Sequence, residues 1–190
     1  MIKRFIKRIR ATECDDKHVE EPQLIITDVQ NWIKKENPYQ YITEQDKRIL
    51  PSIGTTINSI VRRGKEDDAT HMFDRLIGKN TLKDDIVVYR GVTNQDYERD
   101  LAQKRGLGDS YLYYDGYIFC SLNADTHYWN RQIRMIISVS ASSNYLFTGK
   151  YSNTAESNEI ILNRNSVLQI EKEADFGNRH YMWVKLINSI

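Results

Sequence analysis

Cysteine is scarce. The two residues present, Cys14 and Cys120, lie far apart, form no CxxC pair and build no disulfide framework, so a reducing compartment is the simpler reading. Histidine is also thin. His18, His71, His127 and His180 are scattered, and none stands at ligand spacing from a second metal-binding residue, so no metal site is expected. No apolar run is long enough to span a bilayer. The basic start has no apolar stretch after it, as a secretory signal would. The expectation is action in a cytoplasm, that of the producing cell or of a host after delivery. A formal net charge of +1 supplies no global field toward nucleic acid or membrane. Repeats and low-complexity tracts are lacking too.

What is there is ordinary globular material, with 40% hydrophobic and 28% charged residues. We expect a basic segment and linker over residues 1–22 and one monomeric domain over 23–190. Residues 1–10 carry five cations (Lys3, Arg4, Lys7, Arg8, Arg10) and no anion. Ile2, Phe5, Ile6 and Ile9 fall at helical spacing among them, which suits contact with anionic lipid or nucleic acid phosphate. Packing of that stripe on the domain, or a frayed terminus, is the plainer reading.

Helical signals dominate residues 23–80. Leu24, Ile25, Val29, Trp32 and Ile33 form one stripe, stopped near Pro38. A short helix is expected at 43–50, before Pro51. Ile53, Thr56, Ile57, Ile60 and Val61 form another stripe closed by Gly64, and Met72, Phe73, Leu76 and Ile77 a last one closed by Gly78. The pattern changes at Asp85. IVVYRGV (86–92) is a β-branched strand, 94–104 is helical, and 106–116 is a Gly- and Tyr-rich loop. Strands are expected at 117–122, 133–140, 159–163, 166–171 and 181–187, with a short helix at 124–132. Helices first and strands from 85 to 190 give an α+β fold with a largely antiparallel sheet.

Three segments stand out chemically. Arg90 sits inside an apolar strand, where a charge must be paired, reach solvent or bind an anion. Gly91 follows it, and glycine in a strand often marks close approach of a ligand or another backbone. YIFCSLN (117–123) ends a strand with Cys120 and Ser121, but no adjacent base supports a nucleophile. TAESNEIILNRNS (154–166) leads Glu156 and Glu159 into an apolar strand. A carboxylate there suits electrostatic catalysis, or serves only as a gatekeeper charge.

In this order, the three segments resemble the mono-ADP-ribosyltransferase toxin and effector family of the Arg-Ser-Glu class, which includes clostridial Rho-modifying exoenzymes and T-even phage transferases. The resemblance covers roughly residues 45–187. It implies a split, mainly antiparallel sheet core with NAD bound in the cleft. It places Arg90 on the family's first-strand arginine, Ser121 on the third position of the Ser-Thr-Ser strand, and Glu159 on the invariant carboxylate. INSIVRRG resembles the preceding helix, bringing Asn58 and Arg62 to the cofactor. Two positions depart from the pattern. Phe119 and Cys120 replace the first Ser and the Thr, and Ser157 stands where the family has Gln or Glu.

The roles implied follow the chemistry. Glu159 stabilises the oxocarbenium charge that develops as nicotinamide leaves. Arg90 and Arg62 hold the pyrophosphate, beside Gly91, Asn58 and Ser121. Tyr117, Phe119 and Tyr151 are candidates to stack on nicotinamide. Tyr151, Ser157 and Glu156 are candidates for acceptor recognition, with Glu156 as a possible general base. A protein acceptor is expected and a nucleic acid is the alternative. With water as acceptor the same site is an NAD glycohydrolase; a third reading is a degenerate fold that only binds a partner.

Overall fold

The computed structural model describes residues 22–54, 56–102, 107–124, 129–152 and 158–189. The basic segment 1–10 lies outside them, as do Cys14, His18, His127, Glu156 and Ser157.

Among the described residues, four helices precede the first strand. α1 (Val29–Glu36) starts later than its apolar stripe suggests, because Asp28 caps it by accepting from Asn31 N at 3.1 Å. Leu24 and Ile25 therefore lie in extended chain ahead of the helix. Its far end turns through left-handed Asn37, φ 52°, immediately before Pro38. α2 (Glu44–Ile53) opens on a capping box between Thr43 and Asp46. It continues past Pro51, where a stop was expected; so close to the helix end the proline ring removes only one N–H bond. α3 (Ile57–Arg62) is short, and α4 (Asp68–Lys79) is capped by Asp67 and runs through Gly78.

One eight-stranded sheet follows: β1 (Ile86–Val92), β2 (Tyr111–Tyr114), β3 (Ile118–Ser121), β4 (Ile133–Val139), β5 (Tyr145–Phe147), β6 (Glu159–Leu162), β7 (Ser166–Phe176) and β8 (Arg179–Ser189), with α5 (Asn94–Ala102) after β1. The strand order is β2-β7-β8-β4-β1-β3-β6-β5. Among the described residues, only β4 and β8 pair in parallel. β2 occupies part of the segment read as a loop, and β5 carried no clear strand signal. Residues 125–128 lie outside the described chain, so the helix expected at 124–132 is not described.

The sheet is split in the way the sequence implied. β1 pairs with β4 along its whole length, Ile86 with Val139 through to Val92 with Ile133. Toward β3 its only register pair is Tyr89 with Ser121. Three cores surround this seam. Val88, Ile137, Ile160, Leu162 and Val184 belong to the largest. Ile57, Phe73 and Leu76 pack the helices against Leu146 and Ile161 of β5 and β6. Tyr89, Trp129, Ile136 and Tyr181 form the third. Burying these apolar groups is the main stabilising contribution, roughly 2 kcal/mol for each large side chain.

Candidate active site

The three segments singled out in the sequence meet at the seam. Ser121, the last residue of β3, lies opposite Tyr89 of β1 and opposite Glu159, the first residue of β6. Directly opposed residues of antiparallel strands project to one side with Cβ atoms about 5 Å apart, so Ser121 and Glu159 are neighbours on one face. Arg90 crosses the seam: its Nη1 donates to the carbonyl of Phe119 at 2.7 Å, and its guanidinium lies 5.6 Å from the Tyr114 ring centroid. The strand arginine thus binds β1 to β3 besides bringing a cation there. Gly91 lies opposite Arg134 on β4.

Glu159 is held from two directions. The chain enters β6 through Asn158 in the left-handed region, φ 47°, which asparagine tolerates better than most residues; its carbonyl accepts from Leu122 N at 3.2 Å. Oε1 of Glu159 accepts from Thr148 Oγ1 at 2.7 Å. The side chain is 6% exposed. Burial pushes its carboxyl above the usual range, and hydrogen bonds from Thr148 and Ser152 pull it partly back. Cys120, fully buried beside it, has its thiol pushed up to about 12 by burial, with Glu159 adding to the rise and Arg90 opposing it. A thiol so raised stays protonated at neutral pH.

α3 is joined to the start of β3. The Asn58 amide works like a strand neighbour: Nδ2 donates to Tyr117 O at 2.8 Å and Oδ1 accepts from Tyr117 N at 2.7 Å. Gly116 is required there, since a Cβ would fall 2.6 Å from Asn58 Oδ1. Arg62 Nε lies 3.5 Å from Asp115. Asn58 and Arg62 therefore reach the chain immediately before the Phe119–Ser121 strand end.

The aromatic candidates separate. Tyr117 is corrected: it is buried, its ring packs on Phe73, and its hydroxyl donates to Asp74 Oδ1 at 2.6 Å, so it has no face left for nicotinamide. Phe119 is half-buried, with its ring against Gly54. Tyr151 lies on a 3-10 turn, Gly149–Tyr151, edge-on to Tyr39 at 5.3 Å, with the ammonium of Lys150 5.1 Å from its ring centroid. That turn follows Thr148 directly.

Two features escaped the sequence reading. Thr148 was unmarked, because a lone hydroxyl eleven residues before the carboxylate carries no pattern. Asp74 was likewise unmarked, yet it accepts from Tyr117 and from Arg164, whose Nη2 lies 2.7 Å from it. Among the described residues, no cluster of three or more His, Cys, Asp or Glu side chains could hold a metal ion. A cavity of about 670 Å³ opens between α2 and α4, lined by Thr43, Asp46, Ile49, Met72 and Arg75 among others; Arg90, Ser121 and Glu159 do not border it.

Comparison with known proteins fits this fold. Residues 34–186 match the family model described as ADP-ribosyltransferase exoenzyme. Among solved structures, the chain is similar to Plx2a, an ADP-ribosyltransferase toxin from Paenibacillus larvae, at 20% identity and TM-score 0.68, covering 84% of this chain and 94% of that one. It is similar to C3stau2 from S. aureus, solved with NAD, at 15% identity and TM-score 0.71, covering 89% of this chain and 100% of that one. For the C3 exoenzyme of Clostridium limosum the identity is 17% and the TM-score 0.67, covering 88% of this chain and 98% of that one. At these identities the likeness is one of fold. No curated protein matches the chain in sequence.

Proposed function

The chain belongs to the ADP-ribosyltransferase exoenzyme family, and on that premise we propose that it moves ADP-ribose from NAD to a macromolecular acceptor, a protein side chain, with release of nicotinamide. The observation that carries this reading is the meeting of Arg90, Ser121 and Glu159 at the seam between β1, β3 and β6.

NAD supplies the electrophile, the anomeric carbon of its nicotinamide ribose. As the bond to nicotinamide breaks, the bonding electron pair leaves with the ring and positive charge grows at that carbon. Glu159, fixed by Thr148 before reaction, stabilises the charge as a carboxylate without reorganising, which is where electrostatic catalysis gains most. Ser121, opposite it, orients the ribose. The donor set suits an anionic pyrophosphate: Arg90 stands at the seam and Arg62 at the start of β3, and a guanidinium fork matches phosphate oxygens. To Gly91 and Asn58 we also assign cofactor binding, and Phe119 is the aromatic we assign to nicotinamide. To Tyr151, Glu156 and Ser157 we assign recognition of the acceptor. The acceptor nucleophile attacks the anomeric carbon and loses its proton to a base, for which Glu156 is the assigned group.

The test is incubation with labelled NAD and a cell lysate, followed by protease or nuclease digestion. The expected result is a protease-sensitive label made by wild type and absent with Glu159→Ala. Nuclease-sensitive label would move the acceptor to nucleic acid. Nicotinamide release without macromolecular label would make the protein a glycohydrolase, and neither label nor release would leave a binding module.

A further inference from the structure

Ahead of α1, residues 22–28 run without helix or strand structure. Two side chains pin the backbone of this strap. Tyr89 Oη accepts from Ile25 N at 2.8 Å and lies 3.0 Å from Ile25 O, to which it donates. Asn123 Oδ1 accepts from Thr27 N at 2.8 Å, and its Nδ2 reaches Thr27 O at 3.4 Å. Apolar burial contributes little at Ile25 and Ile26, which are 60% and 86% exposed. Of the strap's large apolar residues, only Leu24 packs on the third core.

Both pins flank Ser121. Tyr89 is its opposite number on β1, at the single register pair that joins the two halves of the sheet. Asn123 follows it by two residues, and Asn123 N donates to Ser121 Oγ at 3.2 Å. Past the end of β3, Leu122 is already held by its N–H bond to Asn158 O, and Asn123, one residue further on, is where the chain is otherwise free to fray. The strap removes that freedom by engaging both ends of the Asn123 amide. With Asn123 fixed, its N–H restricts the Ser121 hydroxyl rotor, and the register across the seam sets Ser121 against Glu159.

We propose that Tyr89 and Asn123 are positioning residues that, through the strap at Ile25–Thr27, hold Ser121 in register with Glu159. The inference rests on the transferase reading above. It extends the site to a segment about a hundred residues away in sequence, to which that reading gave no role.

The experiment is a double-mutant cycle on nicotinamide release by the purified full chain, with calorimetric NAD binding and thermal unfolding measured alongside. Tyr89→Phe keeps the ring against Trp129 and loses only the hydroxyl; Asn123→Ala loses the amide. Each is expected to lower kcat by about tenfold with KM for NAD changed less than about threefold, as misplacement of a reacting group does. In a Ser121→Ala background the same substitutions are expected to cost less than about twofold, because the residue they act through is gone. Asn123→Asp, which keeps the acceptor for Thr27 N, should recover most of the Asn123→Ala loss. Full multiplication of the effects in the Ser121→Ala background, or unchanged kcat in Tyr89→Phe, would overturn the proposal and leave the transferase reading intact. A wild type that neither binds nor cleaves NAD would sink both.

Discussion

Thr148 donates its hydroxyl hydrogen to Oε1 of Glu159 across 2.7 Å, and its backbone N–H meets the carbonyl of the same residue at 3.1 Å. The residue that follows the edge strand β5 thus delivers both a backbone bond and a side-chain bond to the first residue of β6. A carboxylate that must stay ionised while buried needs such a donor. Thr148→Val keeps the shape and deletes the donor, so the Glu159 carboxyl should rise further. The acid limb of the pH–rate profile should then move to higher pH, and nicotinamide release at neutral pH should fall about tenfold. Thr148→Ser should behave like wild type. An unmoved acid limb in Thr148→Val would contradict the role given to this bond.

Glu159 also costs stability. Its folded-state carboxyl is raised by burial, so the folded protein holds this proton more tightly than the unfolded chain does. The contribution to stability is present below the unfolded value, about 4.3, and is lost as pH rises through the folded value. At neutral pH the charge is buried at a cost. Glu159→Gln, which can still accept from Thr148, should therefore be more stable than wild type by about 1 kcal/mol at pH 7, or roughly 2–4 °C in Tm. The difference should shrink toward pH 4. Thermal unfolding at the two pH values checks this, and a lower Tm for the variant at pH 7 would count against it.

Asp74 joins α4 to one end of the β3–β6 half-sheet, where β3 begins and β6 finishes. It takes the Tyr117 hydroxyl at 2.6 Å and Arg164 at 2.7 Å and 3.2 Å. Its side chain is 33% exposed, so solvent screens part of the charge. Asp74→Ala should lower stability by about 1 kcal/mol, since the Tyr117 hydroxyl keeps only the longer bond to Thr70 O at 3.2 Å and Arg164 keeps only Glu66. Urea denaturation should show a lower midpoint with unchanged slope. A midpoint equal to wild type would mean that water replaces the carboxylate.

Cys120 occupies the middle of the site strand, yet its thiol is buried and protonated. Cys120→Ala should keep nicotinamide release within about threefold of wild type, since packing and not nucleophilicity is lost. Loss of all release on this substitution, with the protein still folded, would give the thiol a chemical role.

Much of the candidate site was legible because its residues break their local pattern. Arg90 and Gly91 interrupt the apolar strand 86–92, and Glu159 stands at the mouth of IIL; each needed a reason, and the order of the segments supplied one. Their convergence depends on the β3–β6 register, and spacing in sequence does not encode it. Thr148 was invisible for the same reason: a threonine in a strand-rich region signals nothing until β5 pairs with β6. Aromatic chemistry alone suggested Tyr117 for nicotinamide, but Phe73, Thr70 and Asp74 enclose it. The fold class followed from helical periodicity giving way to β-branched runs at residue 85. The outer parts of β7 and β8 were missed because residues 171–173 and 179 are charged and show no apolar alternation.

The most direct test is the rate of nicotinamide release from NAD by purified wild type and by Glu159→Gln, both confirmed folded by thermal unfolding. Release by wild type that falls by about 10²-fold or more in the variant is the predicted result, as for loss of a preorganised group facing transition-state charge. Equal release by the two proteins would contradict the assignment of Glu159 as the catalytic carboxylate.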